Sequence, residues 1–403
     1  MVTEKQFPMT IGMILDSNFP PDPRVENEAV SLIKAGHEIH VLSFNYGEDW
    51  ASEEMINGIN VHRIQLSKLY YKLSALAYTL PFYHWFLKKK IVQFISEQQI
   101  DVLHIHDIRS ARAVFMANKK SNLPTVLDLH ENRPEIMRYY GHINTVMGKL
   151  LISPKRWRKF EFKFIKKATK VIVVTREARD YYLKFNLVEP TKFHVVPNSI
   201  LPGFYTTFEI DETVIERYRD SFTVLYIGDT ALRRGLQTVI SSLEYLIPSI
   251  PNIKLIFVGQ SKADSVLKEM VAKNNWEDYV DMVGWQDPVK FPSYIKASDV
   301  GICPIHRNIH HNTTYANKIF QYLSFGKPVL VSNCDAQQTL IEEHQCGLVF
   351  LDRNPKDFSE KLQILHNNDE WYSTYSNNAE SAIRTKLNWD HFSSELIKLY
   401  DIL

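Results

Sequence analysis

Short apolar runs alternate with longer amphipathic segments along nearly the whole chain, and this alternation restricts the possible fold more than any other feature. The runs are rich in β-branched residues and shorter than eight residues, which is typical of parallel strands that are covered on both faces. Helical patterns lie between them, such as Glu26–Ala35, where Ala29, Leu32 and Ile33 share one face and Gly36 ends the helix. The strand-length runs are Thr10–Leu15, His37–Ser43, Ile59–Ile64, Asp101–Ile105, Pro124–Leu129, Lys170–Thr175, Phe193–Pro197, Phe222–Ile227, Ile253–Val258, Tyr279–Val283, Asp299–Pro304 and Pro328–Ser332. The pattern predicts an α/β protein with doubly wound parallel sheets.

The series of strands is interrupted once. Pro197, Pro202 and Gly203 follow the last strand of the first set, and a polar stretch with acidic residues comes next. This composition is typical of a connection between domains, and we place the boundary near residues 198–215. The length of 403 residues fits two domains of about 200 residues each. We therefore predict one Rossmann-like domain over residues 1–203 and a second over residues 204–387.

Charge and cysteine content exclude several classes of protein. The chain carries 47 Lys+Arg against 46 Asp+Glu, and a formal net charge of +1 excludes nucleic-acid binding through bulk charge. The three cysteines form no CxxC pair, which argues against a zinc site or a disulfide framework and favours a reducing cytosol. The start of the chain lacks the pattern of a signal peptide, and no run of 18 apolar residues is present to span a bilayer. These features predict a cytoplasmic protein.

Sequence motifs of several common enzyme classes are absent. No GxGxxG follows the first strand, where Asp16–Asp22 stands instead, so a dinucleotide-binding dehydrogenase is not indicated. The chain also contains no GxSxG and no HExxH. Any functional site must therefore be found among other polar clusters at strand ends.

Three polar clusters follow strands of the first domain, where a doubly wound sheet binds its ligands. The loop before Glu26 contains Arg24, which can offer a planar cation to a phosphate or carboxylate or can simply pair with Glu28. The other clusters are His104-Ile105-His106-Asp107 and Asp128-Leu129-His130-Glu131. Strand alternation predicts that His104 and His106 point to the same side. These histidines and acids suit a functional site, a zinc site or a structural role.

Two polar segments of the second domain resemble anion-binding loops. Gly228–Gly235 follows a strand, contains Arg233 and Arg234, and suits a diphosphate, although a solvated loop has the same composition. Farther along the chain, polar residues precede a predicted helix over Tyr315–Ser324. We expect Thr313 or Thr314 to cap this helix.

At these residues the chain resembles the retaining glycosyltransferases of the GT-B fold, specifically family 4 (glycosyl transferases group 1). The resemblance extends over essentially the whole chain and depends on the order and spacing of short motifs. These motifs are Arg24-Val25-Glu26, Ala35–Ile39, Asp101–Asp107, Asp128–Glu131, Gly228 with Arg234-Gly235, Val258-Gly259, Val283–Trp285, Ala297–Asp299 with Pro304, Asn317-Lys318 through Pro328-Val329, and Asn388-Trp389.

The resemblance implies two Rossmann-like domains that face a central cleft, with a closing helix over 388–403 that packs back on the first domain. It implies that the second domain binds a nucleotide-sugar and the first an acceptor, and that no metal or other cofactor is needed. It implies that Arg234, together with Arg233, neutralises the donor diphosphate, and that His106 lies beside the transferred sugar. The implied donor-binding residues are Gly228, Gly259, Trp285, Thr313, Thr314, Asn317, Lys318 and Gln321. The implied acceptor-binding residues are Arg24, Asp107, His130 and Glu131.

The chain departs from the family pattern at three positions. The two acids of the Glu-x7-Glu motif are replaced by Thr313 and Gln321, and the arginine that usually follows Gly228 is replaced by Asp229. Gln321 can still hydrogen-bond ribose hydroxyls through its amide. Two alternatives therefore stay open beside transfer to a glycan or lipid-linked acceptor in surface polysaccharide synthesis. The first alternative is a catalytically silent protein that binds a sugar-nucleotide or a glycan. The second is a GT-B sugar-nucleotide epimerase.

Two segments combine basic and aromatic residues. Leu69–Lys90 contains seven aromatic residues and ends in three lysines, and Lys149–Lys170 is strongly basic with a single acid, Glu161. Such segments suit the anionic surface of a membrane, and they also suit helices whose apolar faces pack on a sheet. The first interpretation predicts a peripheral protein on the inner face of the membrane.

Overall fold

The computed structural model describes residues 8–74, 76–79, 82–139, 152–201, 203–204 and 206–403. These residues form two compact units. The first runs to Pro197 and includes Ser393–Leu403, and the second spans Asn198–Phe392. The helix Trp389–Asp401 has its first residues in the second unit and the rest in the first.

The first unit is built on one sheet of eight strands. These are β1 (Thr10–Leu15), β2 (Glu38–Asn45), β3 (Glu53–Ile56), β4 (Ile59–Gln65), β5 (Val102–His106), β6 (Thr125–Leu129), β7 (Lys170–Val173) and β8 (Phe193–Val195). Their order in the sheet is β3-β4-β2-β1-β5-β6-β7-β8, and every pair is parallel except β3 with β4. The order reverses direction between β1 and β5, which is where such sheets open a crevice for ligands.

Helices connect the strands of the first unit. They span Pro23–Lys34, Lys68–Ser74, Phe82–Glu97, Ile108–Ala117, Arg133–Ile136, Pro154–Lys167 and Arg176–Leu183, with short 3-10 helices at Met137–Tyr139 and Pro190–Lys192. The first helix begins with Pro23, and the side chain of Asp22 caps it by accepting from the Val25 amide at 3.2 Å. Ser153 and Thr175 cap two later helices in the same way.

The second unit contains a parallel sheet of six strands. These are β9 (Phe222–Ile227), β10 (Ile253–Val258), β11 (Val280–Gly284), β12 (Val300–Cys303), β13 (Val329–Ser332) and β14 (Gly347–Phe350). They lie in the order β11-β10-β9-β12-β13-β14, so this sheet reverses between β9 and β12. Its helices span Glu212–Tyr218, Leu236–Ser241, Leu243–Leu246, Asp264–Lys273, Phe291–Lys296, Ile309–Asn312, Asn317–Leu323, Asp335–His344, Pro355–Asn367 and Asp369–Thr385, with 3-10 helices at Leu232–Arg234 and Pro288–Lys290.

The predicted fold class, two α/β domains with parallel doubly wound sheets, is confirmed. Each of the twelve predicted runs overlaps a strand, and the sequence missed β3 and β14. β3 is an antiparallel edge strand whose two glutamates are exposed, so it has no apolar run to detect. In the part of the chain that the structure describes, no helix is both long and apolar enough to cross a membrane.

Candidate active site

Polar side chains of the first unit gather at the carboxyl ends of β1, β5 and β6. Asp16 directly follows β1, His106 ends β5 and Asp107 follows it, and His130 follows β6. These strands flank or adjoin the reversal of strand order, so the sheet itself brings their ends together.

Arg24 and Asp128 form the centre of this cluster. The guanidinium of Arg24 contacts both oxygens of Asp128, with Nε–Oδ2 at 3.0 Å and Nη2–Oδ1 at 2.9 Å. It also lies 2.9 Å from Oε1 of Glu28 and donates to the carbonyl of Val196. Arg24 is only 7% exposed. Arg24 thus pairs with Glu28, as one of the two interpretations of this loop expected, and its buried guanidinium also holds Asp128.

Three histidines surround the same carboxylate. The rings of His104 and His106 stack with centroids 4.4 Å apart, as expected for side chains two residues apart on one strand. Nδ1 of His106 lies 3.4 Å from Oδ2 of Asp128, and Nε2 of His130 lies 2.8 Å from the same oxygen. His104 is held on its other side by the hydroxyl of Tyr400, 2.8 Å from Nδ1.

Burial and the positive charge of Arg24 determine which of these groups are ionised. Burial favours the neutral acid, yet Arg24 and His130 hold the pKa of Asp128 well below its usual range. Burial also opposes the charge of His130, but Asp128 raises the pKa of His130 to about 9. Burial raises the pKa of Glu28 to about 8 and lowers the pKa values of His104 and His106. At neutral pH the cluster therefore contains an ionised Asp128 between two cations, Arg24 and His130.

Only part of the cluster is accessible. The side chain of His106 is fully buried, whereas that of His130 is 20% exposed. His130 is thus the histidine of this cluster that a ligand can reach, and His106, predicted from the resemblance, lies behind it.

Acidic and basic residues adjoin His130 at the strand ends. Asp107 has φ of 63°, a conformation that is strained for a residue with a side chain and is often found at functional sites. Its carboxylate accepts from the Ile108 amide and lies 3.7 Å from Nη1 of Arg133, which also contacts Glu131 at 3.0 Å. The predicted acceptor residues Asp107, His130 and Glu131 are therefore brought together, with Arg133 among them.

Four buried residues of the first unit have the composition of a metal site. Glu28, His104, His106 and Asp128 each offer one ligand atom, and these atoms lie within 4.8 Å of one another. Arg24 lies against both carboxylates at 2.9 Å, so a positive charge is already present where a metal cation would bind. The residue types fit zinc, but the charge of Arg24 opposes it.

Two glycines form the floor of a loop at the strand reversal of the second unit. Gly228 follows β9 with φ of 127°, and Gly259 follows β10 with φ of 141°. A Cβ atom on Gly259 would lie 1.9 Å from the carbonyl oxygen of Gly228. Both positions therefore favour glycine, because each has a positive φ and a side chain at Gly259 would collide with the backbone of Gly228.

Arg233 and Arg234 lie in the 3-10 helix above this floor. Asp229 Oδ2 is 3.4 Å from Nη2 of Arg233 and 3.4 Å from Nε of Arg234, and the side chain of Asp229 is 39% exposed. Gly235 packs so tightly that a Cβ there would lie 1.8 Å from the carbonyl oxygen of Pro304. The loops after β9 and β12 thus lie against each other, with the two arginines in long contacts to one carboxylate.

The other predicted donor residues lie in several parts of the second unit. Lys318 is the second residue of the helix Asn317–Leu323, and its ammonium lies 4.3 Å from the ring centroid of Tyr226. Asn317 and Gln321 are one turn apart on the same helix, exposed and half-buried respectively. Trp285 follows β11 and is 62% exposed.

The predicted cap of this helix is wrong. The N-cap of Asn317–Leu323 is Ala316, and no side chain caps it. Thr313 instead donates to the carbonyl of Ile309 at 2.8 Å, and Thr314 donates to that of His310 at 2.9 Å. A short helix at Ile309–Asn312 precedes the predicted one, and the carbonyls of its first two residues accept both hydroxyls.

Sequence reasoning did not identify Asp16, Arg109, Arg133 and Tyr400. Nε of Arg109 contacts Oδ2 of Asp16 at 2.7 Å beneath the first-unit cluster. The sequence could have indicated Asp16 as a site residue, since it directly follows an apolar strand. No local pattern could have indicated Tyr400, because it is 296 residues from His104, which it contacts.

Both units match known families in sequence. Residues 24–202 match the pattern described as "Glycosyltransferase Family 4", and residues 208–382 match "Glycosyl transferases group 1". The capsular polysaccharide biosynthesis glycosyltransferase CapM of Staphylococcus aureus is 20% identical over 78% of this chain and 87% of that protein. The phosphatidyl-myo-inositol mannosyltransferase of Mycolicibacterium smegmatis is 20% identical over 98% of this chain and 94% of that protein.

Solved structures share the fold. The Anabaena protein HepE, determined in complex with UDP, aligns over 98% of this chain and 100% of its own with a TM-score of 0.74 at 14% identity. A glycosyltransferase from Rickettsia africae aligns over 98% of both chains with a TM-score of 0.76 at 13% identity.

Proposed function

Because the chain belongs to glycosyltransferase family 4, we propose that it transfers a sugar, with retention of anomeric configuration, from a nucleotide-sugar to a glycan or lipid-linked acceptor. The observation that carries this proposal is the loop after β9, where Arg233 and Arg234 follow Gly228 and share the carboxylate of Asp229. Donor complexes support it, since HepE has been determined with UDP-glucose. The names of CapM and the mannosyltransferase support an acceptor in polysaccharide or glycolipid synthesis.

In this proposal the arginine pair stabilises the leaving nucleoside diphosphate. The negative charge on the diphosphate grows as the sugar departs, and preorganised cations at that position commonly supply the largest catalytic effect. Arg233 and Arg234 are suited to this role because each is partly exposed and its contact with Asp229 is long at 3.4 Å. Diphosphate oxygens can therefore replace that carboxylate at little cost.

In the first unit we assign the sugar-facing role to His130, in place of His106. His130 is charged at neutral pH and partly exposed, so it can donate a hydrogen bond to a sugar hydroxyl. Asp107 and Glu131 would contact acceptor hydroxyls beside it. Arg24 and Asp128 hold the His130 ring in place and are positioning residues.

Donor turnover tests this function and its stereochemistry. We expect the protein to transfer the sugar of one nucleotide-sugar slowly to water in a buffer with EDTA, and the first anomer released to match the donor's configuration. Proton NMR of the fresh reaction distinguishes the two anomers. Added magnesium or manganese should leave the rate unchanged, because Arg233 and Arg234 supply the positive charge that a metal would bring. Release of the opposite anomer, or turnover only with a metal, contradicts the proposal.

One observation favours a catalytically silent binding protein. Thr313, which stands at a family acid position, is 5% exposed and donates its hydroxyl to a backbone carbonyl. It therefore offers a sugar neither a charge nor a free hydroxyl proton. Tight nucleotide binding without any turnover, with or without an acceptor, would establish this second function.

The first unit also offers a surface for an anionic membrane. Trp85 is 60% exposed on the helix Phe82–Glu97, beside a groove of about 590 Å³. The groove is lined by Trp85, Val92, Met116, Ala117, Lys88, Lys89, Lys119 and Lys120. Four lysines around an apolar floor suit the phosphates and acyl chains of anionic lipids.

The second basic segment does not form such a surface. Trp157 and Phe164, on the helix Pro154–Lys167, are buried in the core, and Tyr78 stacks on Phe160 of the same helix. The described part of this segment therefore directs these aromatic side chains into the core of the first unit, which supports the alternative of a packed apolar face. The start of this segment at Lys149, like the side chain of Tyr71 in the first, lies outside the described residues.

We expect the protein to sediment with anionic vesicles at low salt, and charge reversal at Lys88 and Lys89 to reduce the bound fraction by about tenfold or more. Each lysine near an anionic surface contributes attraction that salt screens. The matched control is charge reversal at Lys166 and Lys167, which are also exposed and end the helix Pro154–Lys167, outside the lining of this groove. Equal loss in both variants would indicate nonspecific charge, and absence of binding by the unaltered protein would overturn the membrane proposal.

A further inference from the structure

Lys318 reaches the floor of the arginine loop from a different segment of the chain. A Cβ atom placed on Gly228 would lie 3.3 Å from its Nζ, so the absence of a side chain at Gly228 leaves room for the ammonium. The ammonium lies over the face of Tyr226, whose hydroxyl donates to the carbonyl of Asp229 at 2.7 Å. Lys318 is therefore fixed beside the same loop that carries Arg233 and Arg234.

The half-buried ammonium of Lys318 makes no ion pair with a carboxylate of the described residues. Its contact is the electron-rich face of Tyr226 at 4.3 Å, which stabilises a cation less than an anion does. A charged group that is partly removed from water without an opposite charge is costly, and such groups concentrate at functional sites.

The surroundings of Lys318 have an excess of positive charge. Arg233 and Arg234 both act on it, and Asp229 is the carboxylate that opposes them. Burial, with smaller contributions from the same arginines, lowers the pKa values of His310 and His311 to about 3 and about 4. Three cations and one partly exposed carboxylate are therefore gathered beside Gly228, which is the charge pattern of an anion site.

We propose that Lys318 binds the diphosphate of the nucleotide-sugar directly, as the third cation of the site that Arg233 and Arg234 form. The inference rests on the proposed function and names the atom that completes it. The three cations approach from two segments, so together they can contact more than one face of a diphosphate. A compact ammonium suits this position, because its three N–H donors can rotate to form hydrogen bonds with phosphate oxygens in different orientations.

Binding of the diphosphate should be linked to proton uptake. Burial, with added repulsion from Arg234 and Arg233, lowers the pKa of Lys318 to about 8, while Cys303 and Asp229 act in the opposite direction. Burial raises the pKa values of both the Cys303 thiol and the Tyr226 hydroxyl, so both groups are neutral at this pH. Asp229 is therefore the anion among these neighbours of Lys318. A bound anion raises the pKa of Lys318, so above pH 8 the complex takes up a proton that the free protein lacks.

Calorimetry at pH 8.5 in two buffers of different ionisation enthalpy tests the proposal. The ligands are whichever of UDP, GDP, ADP and dTDP the unaltered protein binds most tightly, and its parent nucleoside. Lys318→Met should weaken the diphosphate by about tenfold to a hundredfold and abolish the buffer dependence, while nucleoside affinity stays unchanged. Lys318→Arg should retain diphosphate affinity and lose proton uptake, because arginine stays charged. The matched control is Lys296→Met, which should behave as the unaltered protein. The side chain of Lys296 is 49% exposed and forms a surface ion pair with Glu212.

The outcomes separate this inference from the function on which it rests. Unchanged diphosphate affinity in Lys318→Met overturns the inference and leaves the function standing. Equal loss of nucleoside and diphosphate also overturns it, since that pattern indicates a structural role for Lys318. If the unaltered protein binds none of the four nucleotides, the proposed function fails, and the assignment of Lys318 fails with it.

Discussion

Replacement of Arg234 by alanine should lower turnover of the nucleotide-sugar donor by about a hundredfold to a thousandfold while leaving the fold intact. This is the loss typical for removal of one preorganised group that faces developing charge. Arg234 is partly exposed and its contact with Asp229 is long, so little folding energy depends on it. The rate constant and the KM for the donor are measured separately, because an effect on the transition state appears in kcat.

The matched control for this variant is Arg384→Ala. Arg384 is a surface arginine of the same unit, 65% exposed, with a single contact to Glu380. It should leave both kinetic constants unchanged. Wild-type turnover in Arg234→Ala would place the diphosphate elsewhere in the protein.

Replacement of Asp128 by asparagine should destabilise the first unit by about 3 kcal/mol. The variant leaves Arg24 and His130 without the carboxylate that both contact, in a buried position where unpaired charge is costly. Glu28 remains beside Arg24, which places the effect at the low end of the range for broken buried ion pairs. Hydrogen exchange of the amides in β5 and β6 measures the loss in this unit alone.

The pH dependence of this difference follows from His130. Asp128 raises the pKa of His130 to about 9, above its ordinary value of 6.5. The stability from this pair is therefore fully present below pH 6.5 and is lost as the pH rises through 9. The difference between the two proteins should narrow in alkali to the part that the Arg24–Asp128 pair contributes. Asp180→Asn, at a side chain 57% exposed, should change neither exchange nor its pH dependence. A constant difference between pH 6 and 10 would show that His130 is not charged.

Periodic features of this fold could be predicted from sequence. Apolar runs located twelve strands, and strand alternation placed His104 and His106 on one side. The family resemblance grouped Asp107, His130 and Glu131 as acceptor-binding residues, and the neighbouring strands β5 and β6 place them close together. These features depend on residues close in sequence, whose relation the strand period determines.

Features that depend on tertiary pairing could not be predicted. Arg24 and Asp128 are 104 residues apart, and only the order of strands in the sheet brings them together. The same packing buries His106 and leaves His130 accessible, which residue types alone do not reveal. The capping threonine was misassigned because a four-residue helix, Ile309–Asn312, has too little periodicity to be recognised.

Titration of the purified protein with UDP, GDP, ADP and dTDP in metal-free buffer tests the central claim most directly. That claim is a donor site in the second unit in which arginine and lysine replace a metal as the partner of the diphosphate. We predict micromolar binding of one nucleotide, with affinity that falls as salt is added. Binding of none of the four, or binding only after a divalent metal is restored, would contradict it.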